Sequence, residues 1–381
     1  MPWGEVTVMS QRQELVQLAL CEGVNFSELC KRFEITRTTG YRWVDRFLEE
    51  GAAGLLDRSH RPHHSPGQSD PALEAMVLSL RDRFPTWGGR KLRARLIAEG
   101  LASPPSASTI TSILRRHERL DGPGAGERGA WLRFEHEAPN QLWQMDFKGH
   151  FPLLDQRATR CHPLTILDDH SRFNVCLQAS LDERKETVQA ALKALFRRYG
   201  LPLRISADNG SPWGNSNGDG ITALGAWLIQ LGVQLTHSRP YHPQTQGKDE
   251  RFHRTLKLEL LSRQGFASLA ACQAAFDEWR DCYNLIRPHE ALGLKPPISR
   301  YEPSPRPFPE VLPQIEYGQG EHVRIVQKKG EINFRGREFL ISRGLAGLPV
   351  AVRLTSGDGC WAVFFCQQQV AIINLASNPL D

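Results

Sequence analysis

The chain has no Cys-x-x-Cys pair and no histidines paired at zinc spacing; its eight cysteines lie scattered at 21, 30, 161, 176, 272, 282, 360 and 366. That scatter excludes a structural zinc ribbon and argues for reduced thiols in a cytosolic protein. The N-terminus lacks a charged segment followed by an apolar one, and no stretch approaches the roughly 18 uninterrupted apolar residues that a membrane helix needs. Neither secretion nor membrane insertion is expected. Also missing are a Ser-His-Asp order, a phosphate-cradling glycine loop and a reactive-cysteine context. A large excess of one charge is missing too: Lys plus Arg number 47 against 42 Asp plus Glu, a formal +5 with a pI near 8.8. Such a balance permits a nucleic-acid partner without requiring one. A length of 381 residues exceeds what one core usually organises, so two to four domains are expected.

The basic residues that are present gather before residue 130 and between Arg239 and Lys257. Residues 10–56 read as three short helices. The first carries Leu15, Leu18 and Ala19 inward, and the second starts at Ser27 with Leu29 and Phe33 inward. After a tight turn at Glu34 and Ile35, Thr36 caps a third helix, which should bury Tyr41, Val44 and Phe47 and expose Arg37, Thr38, Arg42 and Arg46. The pattern is that of a helix-turn-helix; a generic trihelical domain with a solvated basic face is the alternative. Residues 57–69, with Arg58 and Arg61, form a basic linker. Asp70 and Pro71 then open a second trihelical unit over 70–120. Leu92 and Leu96 point inward there and Arg90, Lys91, Arg93 and Arg95 outward, while Ile110, Ile113 and Leu114 precede Arg115 and Arg116. Two tandem basic units suit a long duplex footprint.

Beyond a glycine-rich stretch at 121–129, strands and helices alternate from Gln141 onward, which indicates an α/β sheet. Strands are expected at 142–151, 164–167, 173–179 and 204–207, and helices at 183–199, 247–263 and 269–285. After the proline-rich stretch 296–313, six short strands over 315–376 suggest a small SH3-like β-barrel. Its core should include Val323, Ile325, Phe339, Ile341, Val352, Trp361 and Val363. Its basic residues, Lys328, Lys329, Arg335 and Arg337 among them, suit DNA or another subunit's complex.

Asp146 lies in the apolar strand Leu142-Trp143-Gln144-Met145-Asp146-Phe147, which has no packing reason to hold an acid. Asp208 ends Leu203-Arg204-Ile205-Ser206-Ala207-Asp208-Asn209-Gly210, where a strand stops at a turn, as sites in α/β sheets often do. Glu250 falls within the first turn of a long helix. Metal-assisted phosphoryl transfer needs hard oxygen ligands and little else. Each acid taken alone could equally be a cap or an ion-pair partner. Asp168 and Asp169 read as acids that position a turn, and Asp249 should point about a quarter turn away from Glu250. Lys248, Arg251, Arg254 and Lys257 could reach phosphates, or form a solvated face.

Trp143-Gln144-Met145-Asp146, Leu167-Asp168-Asp169-His170-Ser171-Arg172, Asp208-Asn209-Gly210, Arg239-Pro240-Tyr241-His242-Pro243-Gln244 and Gly247-Lys248-Asp249-Glu250-Arg251-Phe252-His253 together resemble the DDE transposases of bacterial insertion sequences that share the retroviral-integrase core. The resemblance covers residues 131–300. It implies a ribonuclease H-like catalytic core in which Asp146, Asp208 and Glu250 hold two Mg2+ or Mn2+ ions. It further implies double-stranded DNA as substrate, a homodimer or higher homo-oligomer on paired ends, and a cytoplasmic, nucleoid-associated place of action. The spacing from Asp208 to Glu250 is longer than in many relatives, and the excess around residues 213–220 suggests a mobile loop beside the site. No amino-terminal zinc module accompanies the pattern, since His60, His63 and His64 lack a following cysteine pair. The rivals are a transposase-derived DNA-binding regulator without activity and a structure-selective nuclease.

Overall fold

The computed structural model describes residues 7–58, 69–120, 135–155, 159–214, 221–237, 247–355 and 359–375. The chain divides into two compact units, residues 1–70 and 71–381. In the first, α1 (Val8–Ala19), α2 (Phe26–Arg32) and α3 (Arg37–Glu50) form a trihelical bundle. Each start carries a side-chain cap: Thr7 accepts from Ser10 N, Asn25 from Ser27 N and Glu28 N, and Thr36 from Thr39 N. Such caps satisfy backbone donors that the helix leaves unpaired. Glu34, at φ 53°, makes the left-handed turn between α2 and α3.

The inward face of α3 differs from expectation. Gly40 is its one buried residue, because a Cβ there would meet Cys30 Sγ at 2.7 Å. Tyr41 is 54% exposed and stacks on Phe26 at 4.2 Å. Val44 and Phe47 are half-buried rather than buried. Trp43 lies between the Arg12 and Arg46 guanidiniums, 4.1 and 4.6 Å from its ring centre.

The second unit begins with α4 (Pro71–Arg83), α5 (Gly89–Ala98) and α6 (Ala107–Arg116). Leu92, Leu96, Ile110, Ile113 and Leu114 are buried as their spacing predicts, together with Val77, Leu80 and Trp87. Gly89 lets α5 approach α6 closely, since a Cβ there would stand 2.2 Å from Ala107 O. Cys282 and Ile286 pack against the same cluster.

A mixed sheet follows, built from β1 (Trp143–Phe147), β2 (Phe151–Pro152), β3 (Arg160–Asp168), β4 (Asn174–Ser180), β5 (Arg204–Ala207) and β6 (Gln234–His237). β3 pairs antiparallel with β1, β2 and β4, whereas β5 pairs parallel with β1 and β6. The helices are α7 (Lys185–Tyr199), α8 (Ala223–Gln230), α9 (Gly247–Leu256) and α10 (Leu269–Asp281), and the last two continue into π turns at Lys257–Leu261 and Cys282–Ile286.

Strand alternation sorts the sheet residues between two cores. Trp143, Met145, Leu164, Ile166, Ile205 and Ala207 join α7 and α8 on one face. Cys161, Leu167 and Leu177 join α9 and α10 on the other. The residues that alternate with the first set, Gln144, Asp146 and Ser206, therefore turn toward the α9 side.

The carboxy-terminal strands are β7 (His322–Ile325), β8 (Glu331–Phe334), β9 (Arg337–Leu340), β10 (Pro349–Leu354), β11 (Cys360–Phe365) and β12 (Gln368–Asn374). They pair as a four-stranded antiparallel sheet, β12-β11-β10-β7, and a separate β8-β9 hairpin. The expected closed barrel is thus two open sheets over one core, to which α8 adds Ala226 and Ile229. Ile341, Val352, Trp361 and Val363 are buried and Phe339 packs at the edge, but Val323 and Ile325, expected inside, are 39% and 59% exposed. Both lie on β7 at the edge of the sheet, and they share the face that looks away from Val350 and Val352.

Candidate active site

Parallel pairing of β1 with β5 sets Gln144 beside Ser206. Beyond that pair, Asp146 on β1 and Asp208 just past the end of β5 come near enough for the Asp208 charge to act on the Asp146 carboxyl. Asp146 is partly exposed, with 31% of its side chain open. Its carboxyl is pushed up to about 6, by burial first and by the neighbouring charge of Asp208 second. Two acids in such proximity disfavour joint ionisation. Asp208 is oriented by Gly210 N, which donates to Oδ1 at 3.0 Å, and by Trp213 Nε1, which donates to the same oxygen. Trp213 is buried and stacks on Phe147 at 5.3 Å. The sequence suggests a mobile loop here, yet Trp213 packs as a strut under the site; residues 215–220 of that region lie outside the described residues. Gly214 closes the turn, where a Cβ would meet Asn209 backbone at 2.5 Å. From β6, His237 Nδ1 lies 2.8 Å from Asp208 O.

Helix α9 turns Asp249, not Glu250, toward the sheet. Asp249 is buried, and its carboxyl is raised well above the usual range by burial and by the charges of Asp146 and Asp169. Its Oδ1 has no hydrogen-bond partner among the described residues. Glu250 is exposed. Among the described residues, no three His, Cys, Asp or Glu side chains converge on one metal position. The structure thus pairs Asp146 with Asp208 but does not bring Glu250 to them. A quarter turn separates Asp249 from its neighbour as helical geometry dictates, and Phe252 and Leu256, buried on the same helix, fix which acid faces in.

Asp168 and Asp169 hold the frame around the site. Asp168 accepts from Ser171 N, Ser171 Oγ and Asn140 N, which builds the β3–β4 turn. Asp169 ion-pairs with Lys248 at 2.5 Å and accepts from His136 N and Gln144 Nε2. Burial pulls the Asp169 carboxyl up, but Lys248 and His136 hold it below its ordinary range. Lys248 therefore anchors the start of α9 to the sheet rather than reaching outward for phosphate.

His253, one turn after Glu250, escaped the sequence reading. Its Nε2 lies 2.7 Å from Thr165 Oγ1 and its Nδ1 3.8 Å from Asp146 Oδ2. Burial first, then Lys148, lowers its pKa to about 3, so the ring is neutral. Its spacing of four from Asp249 on an inward helix face was the available signal.

The expected phosphate contacts fare unevenly. Arg37, Thr38, Arg42, Arg90, Arg115, Arg251, Arg254 and Lys257 are exposed, although Arg90 also approaches Glu290 at 3.9 Å. Arg46 is drawn to Leu56 O at 2.7 Å, Arg58 pairs with Glu50, and Arg116 pairs with the buried Glu74. Lys91 is half-buried, its pKa brought down to about 8 by burial and then by Arg287. Arg46, Arg58 and Arg116 are thus engaged by internal partners. Arg61, His60, His63 and His64 lie outside the described residues.

With this geometry in place, known proteins supply a context. The integrase core domain family matches residues 136–243 and, through a second family of the same description, residues 231–297. A helix-turn-helix domain matches 11–63 and a homeodomain-like domain 39–114. The C-terminal domain of IS481 family transposases matches 321–379. An uncharacterized protein of insertion element IS476 from Xanthomonas euvesicatoria is 28% identical over 64% of this chain and 69% of its own length. One from IS407 of Burkholderia multivorans is 29% identical over 65% and 88%. The transposase of Tn552 from Staphylococcus aureus is 24% identical over 67% and 56%. Among solved structures, a simian T-cell lymphotropic virus intasome chain aligns over 78% of this chain and 96% of its own at 16% identity and a TM-score of 0.39. No helix among the described residues is long and apolar enough to cross a membrane.

Proposed function

The chain belongs to the integrase-core transposases of bacterial insertion sequences, and from that premise we propose that it cuts and joins the DNA ends of its element at Asp146, Asp208 and Glu250. The observation that carries this reading is the nearness of Asp146, on β1, to Asp208, just past the end of the parallel neighbour β5, where the Asp208 charge acts on the Asp146 carboxyl. Their donor chemistry fits a divalent cation, because a positive ion between them relieves the Asp208 repulsion that adds to burial in lifting the Asp146 carboxyl. Two Mg2+ or Mn2+ ions held by the three acids would supply Lewis-acid activation of the attacking oxygen and neutralise charge on the leaving one. Glu250 joins the set from the first turn of α9, the helix whose His253 already reaches the Asp146 strand.

The protein's own part is positioning. Trp213 and Gly210 fix the Asp208 carboxylate, and the Lys248–Asp169 pair fixes the start of α9. Orientation of this kind is most of what phosphoryl transfer asks of a protein. Terminal inverted repeats are read by residues 10–56 through Arg37 and Arg42, whereas the second trihelical unit and the exposed α9 cations contact phosphates. A homodimer or higher homo-oligomer holds two ends, with residues 315–376 supporting that assembly.

Cleavage and joining of labelled element-end DNA tests the assignment. Asp146→Asn, Asp208→Asn and Glu250→Gln should each abolish both steps while end binding and circular dichroism stay unchanged. Asp249→Asn, which replaces a buried carboxyl outside the proposed set, should keep joining activity. Normal joining by Glu250→Gln together with loss in Asp249→Asn would transfer the third role to Asp249.

A further inference from the structure

The ring of His253 stands between two fixed oxygens. On one side Nε2 lies 2.7 Å from Thr165 Oγ1; on the other Nδ1 lies 3.8 Å from Asp146 Oδ2. Thr165 has a single hydroxyl proton, and its Oγ1 donates to Asp146 O at 3.0 Å. With that proton committed, the short contact to His253 requires Nε2 to be the donor. The opposite arrangement would place an Nδ1 proton 3.8 Å from the carboxylate, too far for a hydrogen bond, in a side chain only 12% exposed. Donor accounting therefore favours Nε2–H, which leaves the Nδ1 lone pair without a hydrogen bond among the described residues and facing the carboxylate of Asp146.

A lone pair and a carboxylate oxygen repel unless something positive sits between them. Two donors bound to one small divalent ion lie at most about 4.2 Å apart, given bonds near 2.1 Å, and the 3.8 Å separation falls within that limit. We propose that His253 Nδ1 is an additional donor to the cation held by Asp146, kept in its acceptor tautomer by the Thr165 hydroxyl. A carboxylate-only site suits magnesium, whereas an imidazole nitrogen shifts preference toward manganese and the later transition ions. The inference rests on the reading of Asp146 as a cation ligand and adds a nitrogen to it.

Pulsed electron paramagnetic resonance of Mn2+ bound to the full-length protein tests this directly, because a ligated imidazole imprints a 14N coupling on the manganese. The wild type should show that coupling, and His253→Gln should lose it and bind Mn2+ about tenfold more weakly, with a smaller loss for Mg2+. Thr165→Val, close in shape but without the hydroxyl anchor, should weaken the coupling while leaving the nitrogen present. Asp146→Asn separates the two layers of the argument. If it abolishes Mn2+ binding while the wild type shows no 14N coupling, the carboxylate site stands and the histidine proposal falls. If Mn2+ binds equally well to wild type and Asp146→Asn, both fall. A coupling that persists unchanged in His253→Gln also overturns the proposal.

Discussion

In α3 the side chains of Arg37, Thr38 and Arg42 stand exposed, whereas in the second trihelical unit Arg116 is drawn onto the buried carboxylate of Glu74 and Lys91 is half-buried near Arg287. Both units have three helices and a basic sequence. The first keeps its small core to itself, built on Leu15, Val16, Leu29, Cys30 and Leu55. The second shares its core with Cys282 and Ile286 from the end of α10, and Thr86 Oγ1 reaches Glu259 at 3.3 Å. Exposed cations on a self-contained bundle are free to meet a ligand, while cations paired at home hold a scaffold together. Arg37 and Arg42 are thus placed to meet a ligand, whereas Arg116 serves the fold of the second unit, in which Arg90 and Arg115 remain exposed.

The largest effect that could break this contrast is in the shared core. Leu96 is fully buried, so Leu96→Ala should cost about 2–5 kcal/mol and lower the urea midpoint of the whole catalytic unit. Leu29→Ala should destabilise only residues 1–70. An unchanged catalytic-unit midpoint in Leu96→Ala would mean that the second trihelical unit folds independently.

A smaller effect is expected at Glu74, whose carboxyl is held below its ordinary value, by the Arg116 hydrogen bond foremost. A lowered folded value means that the stabilisation is present above the unfolded value near 4.5 and is lost as pH falls through the folded one. Glu74→Gln should thus cost about 1–3 kcal/mol at pH 7 and progressively less below pH 4.5, as read from urea midpoints across pH. A penalty that persists undiminished in acid would assign the loss to packing instead. Smallest in stability, and confined to binding, are Arg37→Ala and Arg42→Ala. Each should leave unfolding unchanged and weaken specific end binding by about 1–3 kcal/mol, while Arg116→Ala should do the reverse.

The sequence exposes this molecule unevenly. β1, β5 and the carboxy-terminal strands stand out because apolar runs and strict alternation mark them. α8 and β6 do not: Leu224, Trp227 and Leu228 of α8 enter the core of the mixed sheet while Ala226 and Ile229 enter that of the carboxy-terminal sheets, so the helix is apolar all round and shows no polar face. Asp146 stands out as an acid within an apolar strand and Asp208 as an acid where a strand stops. The fates of Arg116 and Lys248 are not, because their partners Glu74 and Asp169 lie far away in sequence. Which acid of Asp249 and Glu250 faces inward depends on how α9 seats Phe252 and Leu256, a packing fact rather than a pattern. The barrel expectation failed for a related reason: six alternating strands fix the faces but not whether the edges close.

The account's central claim is that recognition and chemistry reside in different units, and a protein lacking residues 1–70 tests it most directly. Competition binding and metal-dependent nicking should be measured on element-end and random duplexes, with Asp146→Asn in the same background as a control. The expected result is loss of preference for element ends, with residual nicking of both duplexes that disappears in Asp146→Asn. Retained selection of element ends by the shortened protein would contradict the claim.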